Sequence, residues 1–267
     1  MKMASEVKRD GLSPALPQEM ERHTYAIMYE VEGSHWWFAG RRRILESFVK
    51  AIVAKLNTGE PPPPRILDVG CGTGANLEML AGFGAAEGVD VSDAALAFCR
   101  ARGLTKVRLG AAERLPYEDN SFDLVTALDV VEHLDDDAAG LSEMRRVLRP
   151  GGRALLFVPA FMWLWGVQDD VSHHRRRYTL PQLKERVRAA GFEIERATYA
   201  NVTFFAPILA GRLLMRATGA RPASENNINV PALNGVLGHI FGAERFWLRH
   251  LNFPFGVSAV CVARRVE

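Results

Sequence analysis

No apolar run in this chain approaches the roughly 18 residues needed to cross a bilayer, which argues against a helical membrane span. Cysteine is scarce: Cys71, Cys99 and Cys261 are the only three in 267 residues. They are scattered, odd in number and lack paired spacing, so neither a disulfide framework nor a cysteine-held metal is expected. A reduced, cytoplasmic compartment fits that pattern. A large charge of one sign is also missing. The formal net charge is +2, too small to mark a nucleic-acid binder. Residues 1–20 mix charges with Pro14 and Pro17 and hold no apolar stretch, unlike a signal peptide. There is no internal repeat, so a solenoid is not expected.

What is present belongs to an ordinary globular chain. Apolar residues make up 48% and charged residues 24%, and the length suits one α/β domain or two small ones. The organising stretch is Arg65-Ile66-Leu67-Asp68-Val69-Gly70-Cys71-Gly72-Thr73-Gly74-Ala75-Asn76. A β-prone run ends at Val69, a glycine-punctuated turn follows, and a helical pattern begins near Asn76. Strand, tight loop and helix bring backbone N–H groups and a helix N-terminus up to a ligand. Glycines at 70, 72 and 74 permit positive φ and close approach to the main chain. The dinucleotide fingerprint places its third glycine three residues after the second; here the gap is two.

The segment Leu67 to Gly74 resembles the first motif of the class I S-adenosylmethionine-dependent methyltransferases. Further segments match in order from about residue 65 to 191. Asp90, 20 residues after Gly70 at the tip of a second strand, corresponds to the acid that accepts both ribose hydroxyls, with Val91 beside it. Gly110-Ala111-Ala112-Glu113 corresponds to the segment along the adenine edge. Many relatives carry an acid where this chain has Ala111, so either the backbone at Ala112 and Glu113 recognises adenine or Glu113 substitutes. Asp129-Val130-Val131-Glu132-His133-Leu134 is also family-like, and His133 is read either as a cofactor contact or as a general base. Arg149-Pro150-Gly151-Gly152 makes the turn into a fifth strand. The resemblance implies a cofactor site of Asp68, Gly70, Cys71, Gly72, Gly74, Asn76, Asp90, Val91, Ala112, Glu113 and Asp129. It implies S-adenosylmethionine as methyl donor, S-adenosylhomocysteine as product, and a small-molecule acceptor.

The expected fold is α/β: a doubly wound, seven-stranded, mostly parallel sheet, Rossmann-like, with the last strand antiparallel and an N-terminal helical cap. Residues 1–18 read as a disordered leader, 19–60 as the cap and 61–267 as the methyltransferase domain. Two cap helices are expected, broken near Gly33-Ser34, with Ser34 capping the second. Trp36-Trp37-Phe38 then Arg41-Arg42-Arg43 resembles a segment ahead of the first motif in many relatives. The aromatics either pack the helix onto the domain or form a lid, with Trp37 and Arg42 facing the cofactor or an acidic substrate. Thr58 to Pro64 is a stiff connector. Arg145, Arg146 and Arg149 are expected on a solvated helix side.

Residues 159–179 form a long aromatic loop, and such loops are commonly functional. His174-Arg175-Arg176-Arg177-Tyr178-Thr179 resembles a segment of one methyltransferase subgroup. It reads either as a substrate pocket, with His174 and Tyr178 near the acceptor and the arginines matching an anionic group, or as a hydrogen-bonded scaffold whose basic residues face water. No metal is expected, because the adjacent His173 and His174 lack spaced carboxylates or cysteines. Residues 204–251 hold apolar helices on the substrate side, the last running from Leu233 to Leu251. Its basic and aromatic residues point to peripheral membrane contact or to core or dimer packing. Arg221 to Pro231 is polar and expected to be mobile. The expected activity is methyl transfer to an apolar or lipid-linked acceptor. A soluble metabolite or saccharide acceptor, or a cofactor-binding partner subunit without turnover, are the alternatives. No nucleic acid is expected as partner, and the oligomeric state stays open.

Overall fold

The short apolar runs become strands because their side chains are buried on both faces of one sheet. In the computed structural model, residues 22–56, 62–219 and 231–267 are described. The strands are β1 (Arg65–Val69), β2 (Ala85–Asp90), β3 (Val107–Leu109), β4 (Phe122–Leu128), β5 (Leu148–Pro159), β6 (Phe192–Ala200) and β7 (Ser258–Arg265). Their order is β3-β2-β1-β4-β5-β7-β6. The first five pair in parallel, while β7 lies antiparallel between β5 and β6. This is the expected Rossmann-like methyltransferase sheet. The chain runs from β1 outwards to β2 and β3 on one side and then crosses back past β1 to β4 on the other. A crevice therefore opens at the carboxyl ends of β1 and β4.

The helices are α1 (Arg22–Val31), α2 (Trp36–Leu56), α3 (Ala75–Ala81), α4 (Asp93–Ala101), α5 (Asp137–Val147), α6 (Val167–Val171), α7 (Leu180–Ala189), α8 (Phe205–Thr218), α9 (Pro231–Gly242) and α10 (Arg245–Leu248). On one face of the sheet, α2 buries Ile44, Leu45, Phe48, Val49 and Ile52 against Ile66, Leu124, Leu155 and Phe157. On the other, Leu141 and Met144 of α5 and Leu183 and Val187 of α7 meet Leu67, Val125 and Leu156. Each such side chain contributes about 1.5–3 kcal/mol of transfer free energy. Ser92 caps α4 by accepting from the Ala95 N–H at 3.3 Å, and Asp136 caps α5 by accepting from Ala139 at 3.0 Å.

Several boundaries differ from the sequence expectation. The break between α1 and α2 covers Glu32 to His35, and His35, not Ser34, precedes α2. Its Nδ1 accepts from the Trp37 N–H at 3.3 Å, doing what a capping hydroxyl would. The helix expected over 233–251 is two helices, α9 and α10, separated at Ala243-Glu244. Buried Glu244 accepts from the N–H groups of Asn201 and Thr203, both at 2.8 Å. That junction is thereby tied to the end of β6, which a continuous surface helix would not allow. Arg146 is not on a solvated side: it is half-buried, pairs with Glu143 at 2.7 Å and Asp119 at 2.6 Å, and donates to the Tyr117 and Leu115 carbonyls. The 159–179 segment is part-ordered into a 3₁₀ turn (Met162–Leu164) and α6. The leader 1–18, connector residues 58–61 and residues 221–230 of the polar segment lie outside the described residues; Pro231 opens α9.

Candidate active site

The crevice holds a cavity of 640 Å³, within the range of about 300–1,000 Å³ usual for ligand sites. Its floor is the loop after β1. Gly70 (φ 66°) and Gly72 (φ 52°) are both left-handed. A Cβ on Gly72 would meet nothing within 4 Å, because that position faces the open cavity. A Cβ on Gly70 would lie 2.4 Å from Val130 Cγ2. Gly70→Ala is therefore expected to cost about 2 kcal/mol, from overpacking and left-handed strain together. Urea unfolding of Gly70→Ala and of Gly70→Ala/Val130→Ala checks it, the second variant recovering the steric part.

Asp90, at the end of β2, is buried and lines the cavity. Its carboxylate accepts from the Gly72 N–H at 2.8 Å and the Ser92 N–H at 3.0 Å. The same side chain thus shapes the loop and faces the space above it. Cys71, Asn76, Val91, Ala112 and Glu113 also line that end. Asn76 Oδ1 and Glu113 Oε2 are buried without a protein partner, acceptors that a ligand donor would satisfy. Burial raises the Glu113 carboxyl above its ordinary value.

Glu32, at the end of α1, latches the N-terminal helices to the loop. Its Oε1 accepts from Thr73 Oγ1 and from Arg102, both at 2.5 Å. Deeper in, Arg41 pairs with Asp129 at 2.6 Å and lies over the Trp37 and Phe157 rings. Asp129 sits at φ 60° just past β4; burial raises its carboxyl, against the opposing pull of Arg41.

The far wall comes from residues 130–177. Buried Asp169 accepts from Arg177 through both oxygens, at 2.7 and 2.9 Å, and lies 2.8 Å from His174 Nδ1. Burial alone would raise its carboxyl, but the His174 and Arg177 hydrogen bonds outweigh it and hold the group far below the usual range. His133 stacks edge-on to His174 with centroids 4.6 Å apart. Burial, then the neighbouring His174 and His173, push the His133 imidazole down to about 3. A base that weak accepts no hydroxyl proton near neutral pH.

Gly70, Cys71, Gly72, Asn76, Asp90, Val91, Ala112, Glu113, Asp129, Trp37, His133 and His174 are therefore brought together around one cavity. Four expected residues are not among its lining. Asp68 lies behind the loop, where Thr126, its register partner on β4, donates to Oδ1 at 2.6 Å. Gly74 faces Leu104 and Cys99. Arg42 turns away and donates to the Glu32 carbonyl at 2.5 Å. Tyr178, expected near the acceptor, is buried in the core and donates to Asp137 at 2.9 Å; it is an anchor for α5. Arg41 and Glu32 were not expected, and Arg177, read with its neighbours as a match for an anionic group, lines the cavity but is paired with Asp169. The signal for Arg41 was available: with Phe38, Leu45 and Phe48 it falls on the buried stripe of α2, while Arg42 does not.

A family model described as a methyltransferase domain matches residues 67–156. A protein of Mycolicibacterium smegmatis, named as a probable S-adenosylmethionine-dependent methyltransferase, is 36% identical over 190 residues, 70% of this chain and 69% of that protein. A demethylmenaquinone methyltransferase of Mycobacterium sp. (strain KMS) is 42% identical over 99 residues; the match spans 37% of this chain and 43% of that relative's length. Phosphoethanolamine N-methyltransferase 2 of Haemonchus contortus, solved with S-adenosyl-L-methionine, superposes on 82% of this chain and 52% of its own. The TM-score is 0.53 at 20% identity, a likeness of fold. The glycine loop at the sheet's crevice, the strand order and the Mycolicibacterium relative together place this chain among the S-adenosylmethionine-dependent methyltransferases, with S-adenosylmethionine as its methyl donor.

Proposed function

We propose that this enzyme methylates an apolar, lipid-like small molecule that it meets at a membrane surface. The observation that carries the reading is the two-sided character of α8 and α9. Phe204, Pro207, Ile208 and Met215, with Leu237 of α9, line the cavity. On the outside, Leu213, Leu214, Val236 and Ile240 are exposed, as are Phe246 and Trp247 of α10. Arg249 after α10 is exposed, as is Arg216 of α8, which donates to the Trp163 and Trp165 carbonyls. Exposed apolar and basic side chains on these helices suit an anionic lipid surface, and helices that face both surface and cavity give an apolar acceptor a short path. The mycobacterial relative's name, demethylmenaquinone methyltransferase, supports a small-molecule acceptor. No described helix is long and apolar enough to span a bilayer.

In this reading the donor lies along Gly70 to Gly72. Asp90 accepts its ribose hydroxyls, Asn76 and Glu113 accept from remaining donor groups, and the Arg41–Asp129 pair closes the inner end. Bound S-adenosylmethionine supplies a methyl carbon already activated by its sulfonium, so transfer is an in-line displacement. What the chain adds is chiefly alignment, on the order of 7–11 kcal/mol, and water exclusion by the aromatic and aliphatic wall. Where the acceptor is a hydroxyl, His174 is placed to receive its proton, with Nδ1 held by Asp169 and Nε2 turned the other way.

Co-sedimentation with vesicles of phosphatidylglycerol and phosphatidylcholine tests the reading. The enzyme is expected to pellet with vesicles, less so at high salt. Phe246→Ser/Trp247→Ser should stay in the supernatant with unchanged affinity for S-adenosylhomocysteine. Wild-type enzyme that remains soluble beside anionic vesicles would favour a soluble polar acceptor.

A further inference from the structure

The cavity wall carries a cluster of which the reading above uses His174 alone. Glu132, His133 and His174 present one carboxylate oxygen and two ring nitrogens within 4.8 Å of one another. Glu132 is 0% exposed, and neither of its carboxylate oxygens has a hydrogen-bond partner. A buried carboxylate is costly without a cation or a donor. The nearest cationic candidate is His174 Nε2, at 4.0 Å from Oε1, too far for a hydrogen bond. The opposite nitrogen of that ring is already fixed by Asp169 at 2.8 Å. A carboxylate on Nδ1 that turns Nε2 inward is the outer-shell pattern that orients a metal-binding histidine. Asp169 is itself clamped by Arg177, so the ring's direction is set from behind. The Ser172 backbone holds the His133 ring in turn.

We propose that Glu132, His133 and His174 form a binding site for one divalent transition-metal ion at the acceptor end of the cavity. Two imidazoles and one carboxylate suit zinc, cobalt, iron or manganese better than calcium or magnesium. Bonds of about 2.0–2.2 Å require the three ligand atoms to draw in from their present spacing, and Glu132, whose carboxylate oxygens have no hydrogen bond to break, is the ligand that would move. His133 and His174 both face the cavity, so the ion's remaining positions face it too, open to an oxygen atom of the acceptor. The acceptor class this implies is one with a hydroxyl beside a second oxygen, able to chelate. His174 is then a ligand and not a proton acceptor, and the inference stands on the cavity alone, independent of any membrane contact. The adjacency of His173 and His174 pointed away from a metal because the partners of His174, Glu132 and His133, lie 42 and 41 residues earlier in the sequence.

The test uses tag-free enzyme freed of metal by chelator and titrated with Zn²⁺ by calorimetry and with Co²⁺ by visible absorption. One ion per chain and a cobalt d–d band are expected. Glu132→Gln and His174→Asn should each weaken binding at least tenfold. His173→Asn, whose left-handed backbone (φ 55°) asparagine adopts readily, should bind as wild type. S-adenosylhomocysteine affinity, measured on the same samples, reports that each variant keeps its donor site. Absence of saturable binding to wild type, or equal affinity in Glu132→Gln, overturns the site.

Discussion

Asp90→Ala is expected to weaken S-adenosylmethionine binding by about 10²–10⁴-fold while leaving the fold intact. A hydrogen bond to a charged acceptor contributes roughly 1.5–3 kcal/mol, and the carboxylate has two ribose hydroxyls to accept. Two such bonds make about 3–6 kcal/mol, at about 1.4 kcal/mol per tenfold. The loss includes a second component, because Asp90 also accepts from the Gly72 and Ser92 N–H groups. Without it the glycine loop loses its tether to β2 and the donor site is less preorganised. Asp90→Asn separates the two: its side-chain oxygen keeps one acceptor while the charge is gone, so it should fall between wild type and alanine. Calorimetric titration of S-adenosylmethionine and S-adenosylhomocysteine into the three proteins measures this directly. Asp90→Ala binding within threefold of wild type would place the ribose elsewhere in the cavity.

The parts of this site that were legible in the sequence are those written in contiguous residues. The loop from Gly70 to Gly74 follows from local backbone requirements, and Asp90 follows from the end of the next strand. The same holds for the seven strands, whose apolar runs are short and bounded by turns. Side chains whose role depends on tertiary approach were read less well. Arg42 and Arg41 are neighbours in sequence, and only the helical phase of the buried face separates them. Tyr178 was drawn towards the acceptor by its motif, yet Asp137, 41 residues earlier, takes its hydroxyl. The Asp169–Arg177–His174 cluster has no periodic signature because its members come from a helix end and the loop after it. The α9–α10 junction depends on Glu244 capping two N–H groups beyond the end of β6, a contact that no local propensity encodes.

Asp68 carries the other large expectation, and its sign is the reverse of the usual one for a carboxylate. Its side chain is 2% exposed, Thr126 satisfies Oδ1, and Oδ2 has no partner. Burial pushes the carboxyl up to about 7, with the Thr126 hydrogen bond and Arg41 opposing and Asp90 reinforcing. An unfolded aspartate titrates near 3.9. Between about pH 4 and pH 7 the unfolded chain has released this proton while the folded chain keeps it. Stability contributed by the neutral form is thus fully present below about pH 4 and is lost as pH rises to about 7, by roughly 1.4 kcal/mol per unit. The whole loss is on the order of 4 kcal/mol. Asp68→Asn keeps an oxygen for Thr126 and has no proton to lose, so it removes this slope. Its stability relative to wild type should rise by about 2–3 kcal/mol between pH 5 and pH 8. Urea unfolding of both proteins at the two pH values measures the difference of differences, which cancels any fixed cost of seating the amide. A relative stability that does not change with pH would mean that Asp68 is ionised in the fold, with Arg41 compensating a buried charge behind the glycine loop. The observed geometry argues otherwise, because Arg41 is already committed to Asp129 at 2.6 Å.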